Sequence, residues 1–243
     1  MTSHAKGKSP EGGSALENWE TLNFEQHATL RVSKAPDVTR HFTQIVADEF
    51  GAAAHEFPIF FTKHSETGVF YAGAVLGLKP NENLSCVDGR LPGYRPADLE
   101  RQGFYLVENR IVIDRDHPVF AGAEGERLFD DGGEPSAALR RVQQALGTLH
   151  TGLPATDAAI KRLLDQKLLE PIDVDLRFDD GSHIQLDGLY TVSLDRLHAL
   201  PDAAVLELFR QGDLQLAYAQ TSSITHVRRL ARRYNDQLTS PPA

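Results

Sequence analysis

Cys86 is the only cysteine of the 243-residue chain, so no disulfide can form within it. One thiol is also too few for a cysteine-based zinc site or an iron–sulfur cluster. That usage fits a reducing compartment. Long apolar runs are missing as well. No window approaches the roughly 20 consecutive apolar residues a membrane helix requires, and no membrane insertion is expected. Positive charge is scarce: 25 Lys and Arg stand against 34 Asp and Glu, a formal net charge of −9. Such a chain is a poor match for a phosphate backbone, so nucleic acid is not an expected partner. The N-terminal "MTSHAKGKSPEGGSALENWE" has basic residues but no apolar core behind them, unlike a secretory signal. Cytoplasm is the expected location, with leaderless export as the alternative. Common catalytic signatures are absent too. There is no G-x-x-x-x-G-K-[ST] loop, no H-E-x-x-H, no G-x-S-x-G elbow and no glycine-rich dinucleotide fingerprint. No cofactor is expected.

Secondary structure is legible in what remains. Residues 1–22 read as a disordered arm from their Gly, Ser and Lys content, residues 23–235 as a single domain, and 236–243 as a disordered tail. A division of the domain into two subdomains near residue 135 is the alternative. "ATLRVSK" alternates like a short strand. "VTRHFTQIVADEFGAAAHEFP" places Phe42, Ile45, Val46, Glu49 and Phe50 at helical spacing before Pro58. "PIFFTKHSETGVFYAGAVLGL" and "FYLVENRIVID" read as β-hairpins. Residues 114–134 read as a long acidic irregular loop, and loops of that length are more often functional than average. Two amphipathic helices follow, one capped by Ser136 and one over 157–169. "EPIDVDLRFDDGSHIQLDGLYTVS" is a hairpin about Asp180-Gly181, after which Ser193 is placed to cap a further helix. Helical stretches over 202–211 and 214–235 complete the chain. Hairpins mixed with helices, without regular βαβ alternation, predict an α+β fold of antiparallel β-hairpins packed with helices and ending in a helical C-terminal part.

Few residues invite chemistry. Asp114, Asp116 and His117 in "DRDHP" form the best local cluster for a metal ion, set against a solvated acidic turn before Pro118. Asp130 and Asp131 in "FDDGGEPS" match a calcium loop in composition but not in ligand spacing. Asn81 and Asn83 in "LKPNENL" belong with them as candidate ligand-binding residues. So do Asp187 and Tyr190 in "LDGLYTVSLDRL", where Asp187-Gly188 also reads as a bend in a strand. Cys86 lacks a neighbouring base that would activate it. Arg228, Arg229, Arg232 and Arg233 concentrate positive charge near the C-terminus, suited to an acidic partner or to a helix end.

Several of these segments, in order, resemble the bacterial SapC family: "EFPIFF", "LGLKPNENL", "LFDDGGEPSAALRRVQQAL" and the block from "LLEPIDVDLRFDDGSHIQLDGLYTV" to "LAYAQTSS". The resemblance covers roughly residues 23–234. It implies a connection with surface layers, after which the family is named, and with outer-membrane nutrient-uptake receptors and flavin-dependent halogenases that accompany its members. It carries over no catalytic residues. An unrelated transporter permease shares the name, and the lack of an apolar span excludes that reading. The favoured expectation is a non-enzymatic accessory protein that binds a polypeptide, a small ligand or a co-encoded protein, its oligomeric state left open. The alternative is an enzyme, a hydrolase or metal-dependent oxidative partner, with a site built from Asp114, Asp116, His117, Asp130 and Asp131.

Overall fold

The computed structural model describes residues 18–34, 37–87, 89–91, 93–122 and 124–239. Its elements run β1 (Trp19–Thr21), α1 (Phe24–His27), β2 (Arg31–Val32), β3 (Phe42–Gln44), α2 (Phe50–Ala53), β4 (Ile59–Lys63), β5 (Phe70–Val75) and α3 (Ala97–Glu100). They continue with β6 (Phe104–Val107), β7 (Arg110–Asp114), β8 (Glu126–Arg127), α4 (Ala137–Asp165), β9 (Leu169–Arg177) and β10 (His183–Val192). Helices α5 (Leu194–His198), α6 (Asp202–Gln211), α7 (Asp213–Ser223) and α8 (Val227–Thr239) close the chain. The strands form a five-stranded sheet ordered β3-β5-β4-β10-β9, a three-stranded sheet ordered β1-β7-β6 and a two-stranded β2-β8 pair. Every pairing between these strands is antiparallel. The expected α+β class, with its helical C-terminal part, is therefore the observed one.

The five-stranded sheet is covered on both faces. Successive strand residues point to opposite sides, so Ile59 and Phe61 of β4 pack on one face with Ile160, Leu163 and Ala217. Phe60 between them faces Leu230 and Tyr234 of α8. The smaller sheet buries Phe104 and Ile113 against Leu139, Val142 and Leu146 of α4.

The sequence reading places two helices, one from Ser136 and one over 157–169, over the segment now occupied by α4. The structure instead has one helix of 29 residues with Pro154 inside it. The hydroxyl of Thr156 donates to the Gly152 carbonyl at 2.7 Å and that of Thr151 to the Gly147 carbonyl at 3.1 Å. These side chains supply bonds to helix carbonyls on either side of the missing proline N–H. The glycine has a separate reason. A Cβ on Gly152 would lie 2.6 Å from Val46, so only glycine lets the chain after β3 seat on the helix. Thr156 fixes that contact by accepting from the Ala47 N–H at 2.7 Å.

The helix expected through Phe42 is also corrected. Phe42–Gln44 is strand β3, followed by a 3-10 turn at Ala47–Glu49 and the single turn α2. Glu49 explains the switch. Its buried carboxylate accepts from the Val46 N–H at 2.9 Å, the Ala97 N–H at 2.8 Å and the Tyr94 hydroxyl at 2.7 Å. Three donors converge on this one carboxylate, and they tie its own segment to the one that leads into α3, in place of a helical ladder. Burial and the adjacent carboxylate push the Tyr94 phenol up from its ordinary value.

At the ends of the chain, Trp19–Thr21 lies within the expected arm yet forms β1, paired to β7. Residues 1–17 of that arm lie outside the described residues. Helix α8 likewise reaches Thr239, inside the expected tail. The acidic loop over 114–134 is partly ordered by a 3-10 turn at Pro118–Phe120 and by β8.

Candidate functional site

The sequence-predicted residues occupy separate places. Asn81 is an exposed turn residue with φ 63°. Asn83 is buried; its amide donates to the Asp37 carbonyl at 2.8 Å and accepts from the Ser85 and Cys86 N–H groups at 3.1 and 3.2 Å. One Asp130 oxygen accepts from the N–H groups of Gly132 and Glu134, each at 2.9 Å, which is how an aspartate closes a turn. Asp131 is exposed and pairs with Arg127 at 2.8 Å. Asp130 and Asp131 line a shallow groove with Arg31, Arg127 and Ser136 that does not include Asn81 or Asn83.

In the "DRDHP" cluster, Asp114 accepts from the Asp116 N–H at 3.1 Å, and Asp116 accepts from the Asn18 amide at 2.6 Å. His117 is the N-cap of the following 3-10 turn. Its Nδ1 accepts from the Val119 N–H at 3.2 Å, and burial pushes its pKa below the ordinary 6.5. Among the described residues, no group of three or more His, Cys, Asp or Glu is gathered as a metal site. Cys86 has its thiol pushed up by burial, the direction that suppresses nucleophilicity.

Asp187 and Tyr190 lie on the β9–β10 hairpin, and this hairpin is where the structure concentrates its unusual features. Leu186 pairs with Val174 and Leu189 with Ile172. Three steps on β10 therefore match two on β9, a β-bulge. The extra residue keeps Leu189 on the same face as Ile184, against α8. Gly188 supplies the φ of 72° the bulge needs, while Asp187 is exposed. Tyr190 packs edge-on to Phe70 with ring centroids 4.8 Å apart, and the Lys63 ammonium sits 4.9 Å from its centroid.

Pairing of β10 with β4 is confined to Tyr190↔Phe61. Below that point, residues 183–189 form a two-stranded ribbon with β9, held to α8 through Phe178, Ile184, Val227 and Tyr234. Above it the two strands are joined by a side chain. The amide of Gln220, on α7, donates to the Ile59 carbonyl at 2.9 Å and accepts from the Val192 N–H at 3.0 Å. Beside it the Ser223 hydroxyl accepts from the Ile59 N–H at 2.9 Å. A fully buried glutamine thus stands where a backbone rung would otherwise be. The chain then crosses from the α7 face of the sheet to the α8 face.

That crossing forms one wall of a groove of about 670 Å³ along β9. Val174, Val192, Leu194, Ile224 and Val227 give it apolar surface, and Glu170, Asp173, Asp175 and Asp195 set against Arg228 make its charged rim. Strand β9 is the last strand on this side of the sheet over its full nine residues. Sequence reading missed this groove, although "EPIDVDLRF" carries a signal. A proline at the start and acidic residues at alternate positions are devices that natural edge strands use.

An antiparallel α+β protein with a long strand edge opening on an acidic-rimmed groove is the class that fold and site define. The chain matches the SapC family over residues 22–230 and belongs to that family. No curated protein and no solved structure matches it. No helix among the described residues is long and apolar enough to cross a membrane.

Proposed function

We propose that the protein is a non-enzymatic accessory protein that recognises an extended polypeptide by strand addition to β9. The observation that supports this reading is the open nine-residue edge of β9 beside the groove. Strand addition draws affinity from main-chain hydrogen bonds and specificity from contacts to alternate side chains. The edge offers the first and the groove offers the second. The candidate catalytic residues Asp114, Asp116, Asp130 and Asp131 instead bond to backbone groups or neighbouring side chains, which supports a binding role over an enzymatic one. In the proposed context the polypeptide is a co-encoded protein linked to surface-layer or outer-membrane nutrient-uptake systems, as the resemblance to the family implies.

Site-specific photocrosslinking in the native cell tests the reading. A photoreactive residue at Asp173 is expected to trap one discrete polypeptide, while the same group at Arg110, on the β6–β7 hairpin, traps none. Equal labelling from both positions, or none from either, would sink the proposal.

A further inference from the structure

The geometry points to a cationic partner: the segment added to β9 alternates Lys or Arg with apolar residues. This inference rests on the strand-addition reading above and specifies its chemistry.

The two sides of β9 differ sharply. Ile172, Val174 and Leu176 face α8 and pack with its cluster. Asp173 and Asp175 are exposed on the opposite side, as strand alternation requires. Residues directly opposite each other in a paired strand share a face and interact. An incoming segment therefore places one set of alternate side chains beside Val174 and Ile224 in the groove. The other set stands over Asp173 and Asp175. Pro171 cannot donate to a ladder, so full pairing is confined to residues 172–177.

The charges around this edge are lopsided, although Arg177, the last residue of β9, stands exposed on the same side as Asp173 and Asp175. Glu170, Asp173, Asp175 and Asp195 are opposed in the groove lining by Arg228 alone. Asp175 is paired to His183 at 2.7 Å, whereas Glu170, Asp173 and Asp195 have no ion-pair partner among the described residues. Like charges placed directly opposite each other destabilise a strand pair. A second copy of β9 would bring its own carboxylates to that position, so the edge rejects its own kind and accepts the opposite sign.

The test uses the full chain and a fluorescein-labelled octapeptide of alternating Lys and Val, followed by fluorescence anisotropy at 50 and 300 mM NaCl. Hydrogen exchange on the complex locates the contact. Saturable binding is expected, with slowed exchange at residues 172–177 and weaker affinity at the higher salt. Replacing Lys by Thr in the peptide, or introducing Asp173→Lys, is expected to weaken binding about tenfold, since a few cross-strand charge pairs are lost. Asp173 is exposed, so this variant should melt with the wild type, and Asp195→Asn serves as a milder second variant. If the Thr-Val peptide binds as tightly at the same amides, the cationic inference falls while strand addition stands. Binding insensitive to Asp173→Lys and Asp195→Asn, or protected elsewhere, would overturn the inference. Absence of binding by the Lys-Val peptide would do so as well.

Discussion

The five-stranded sheet treats its two edges in opposite ways. At one end, β3 is three residues long and is closed off by a polar network. Thr43 is fully buried, and its hydroxyl donates to Asp98 at 3.1 Å. Asp98 also receives Arg40 at 2.7 Å and Arg101 at 2.6 Å. At the other end, β9 is three times as long and is protected by a proline and by charged side chains, mostly carboxylates. Burial seals the first edge against everything. Charge guards the second selectively, since it repels some partners and attracts others. A sheet edge can be protected from aggregation and still be available for recognition, provided the guard is electrostatic.

The sealed edge is the easiest to break. Asp98→Ala leaves Arg40 and Arg101 facing each other without their shared carboxylate, and loss of one partner of a buried ion pair is expensive. We expect a loss of about 3 kcal/mol in urea denaturation, with faster amide exchange along β3. A loss below about 1 kcal/mol would place the seal in the apolar packing around α3 instead. The seam between β4 and β10 comes next. Gln220→Leu keeps the volume but strands the Ile59 carbonyl and the Val192 N–H, and should cost about 2 kcal/mol. An unchanged midpoint would mean that the strands close up to pair with each other directly. The smallest effect belongs to the open side. A Cβ at Gly188 would meet nothing within 4 Å, so Gly188→Ala isolates the backbone cost of φ 72°, about 1 kcal/mol. A neutral result would show that the bulge relaxes, and β10 would then lose the offset that holds Leu189 against α8.

Much of this was readable from local pattern. The β9–β10 hairpin follows from its alternation and the Asp180-Gly181 turn, and Asp187-Gly188 reads correctly as a bend. Ser136 caps α4 as expected, accepting from the Leu139 N–H at 3.2 Å. Ser193 stands at the N-cap of α5, but its hydroxyl makes no capping bond. Position followed from pattern there; the hydrogen bond did not. The misses share a cause, which is dependence on distant partners. The expected split into two helices misses that one helix runs through Pro154, where Val46 and the neighbouring threonines seat it. Phe42 to Phe50 has helical spacing, yet the Glu49 carboxylate bonds Tyr94 and Ala97, some 45 residues along the chain, as well as Val46. The open edge is harder still, because whether a strand lies at an edge depends on which other strands pair with it. Only the proline and the alternating acids hint at the answer. Asp130 and Asn83 show the converse: polar residues in loops attract a functional reading while their hydrogen bonds serve the turns that contain them.

Helix α4 bears on how the molecule can be taken apart. The boundary suggested near residue 135 falls at its first turn, yet Ala138, Leu139 and Val142 belong to the core of the small sheet and Ala159, Ile160 and Leu163 to that of the large one. A fragment ending at that boundary would leave Phe104, Ile113 and Leu128 without their cover. A fragment starting there would carry a bare apolar stripe along its first two turns. One helix thus supplies cover to both cores, and the small sheet has no lid for Phe104 and Ile113 until a helix encoded after it has left the ribosome.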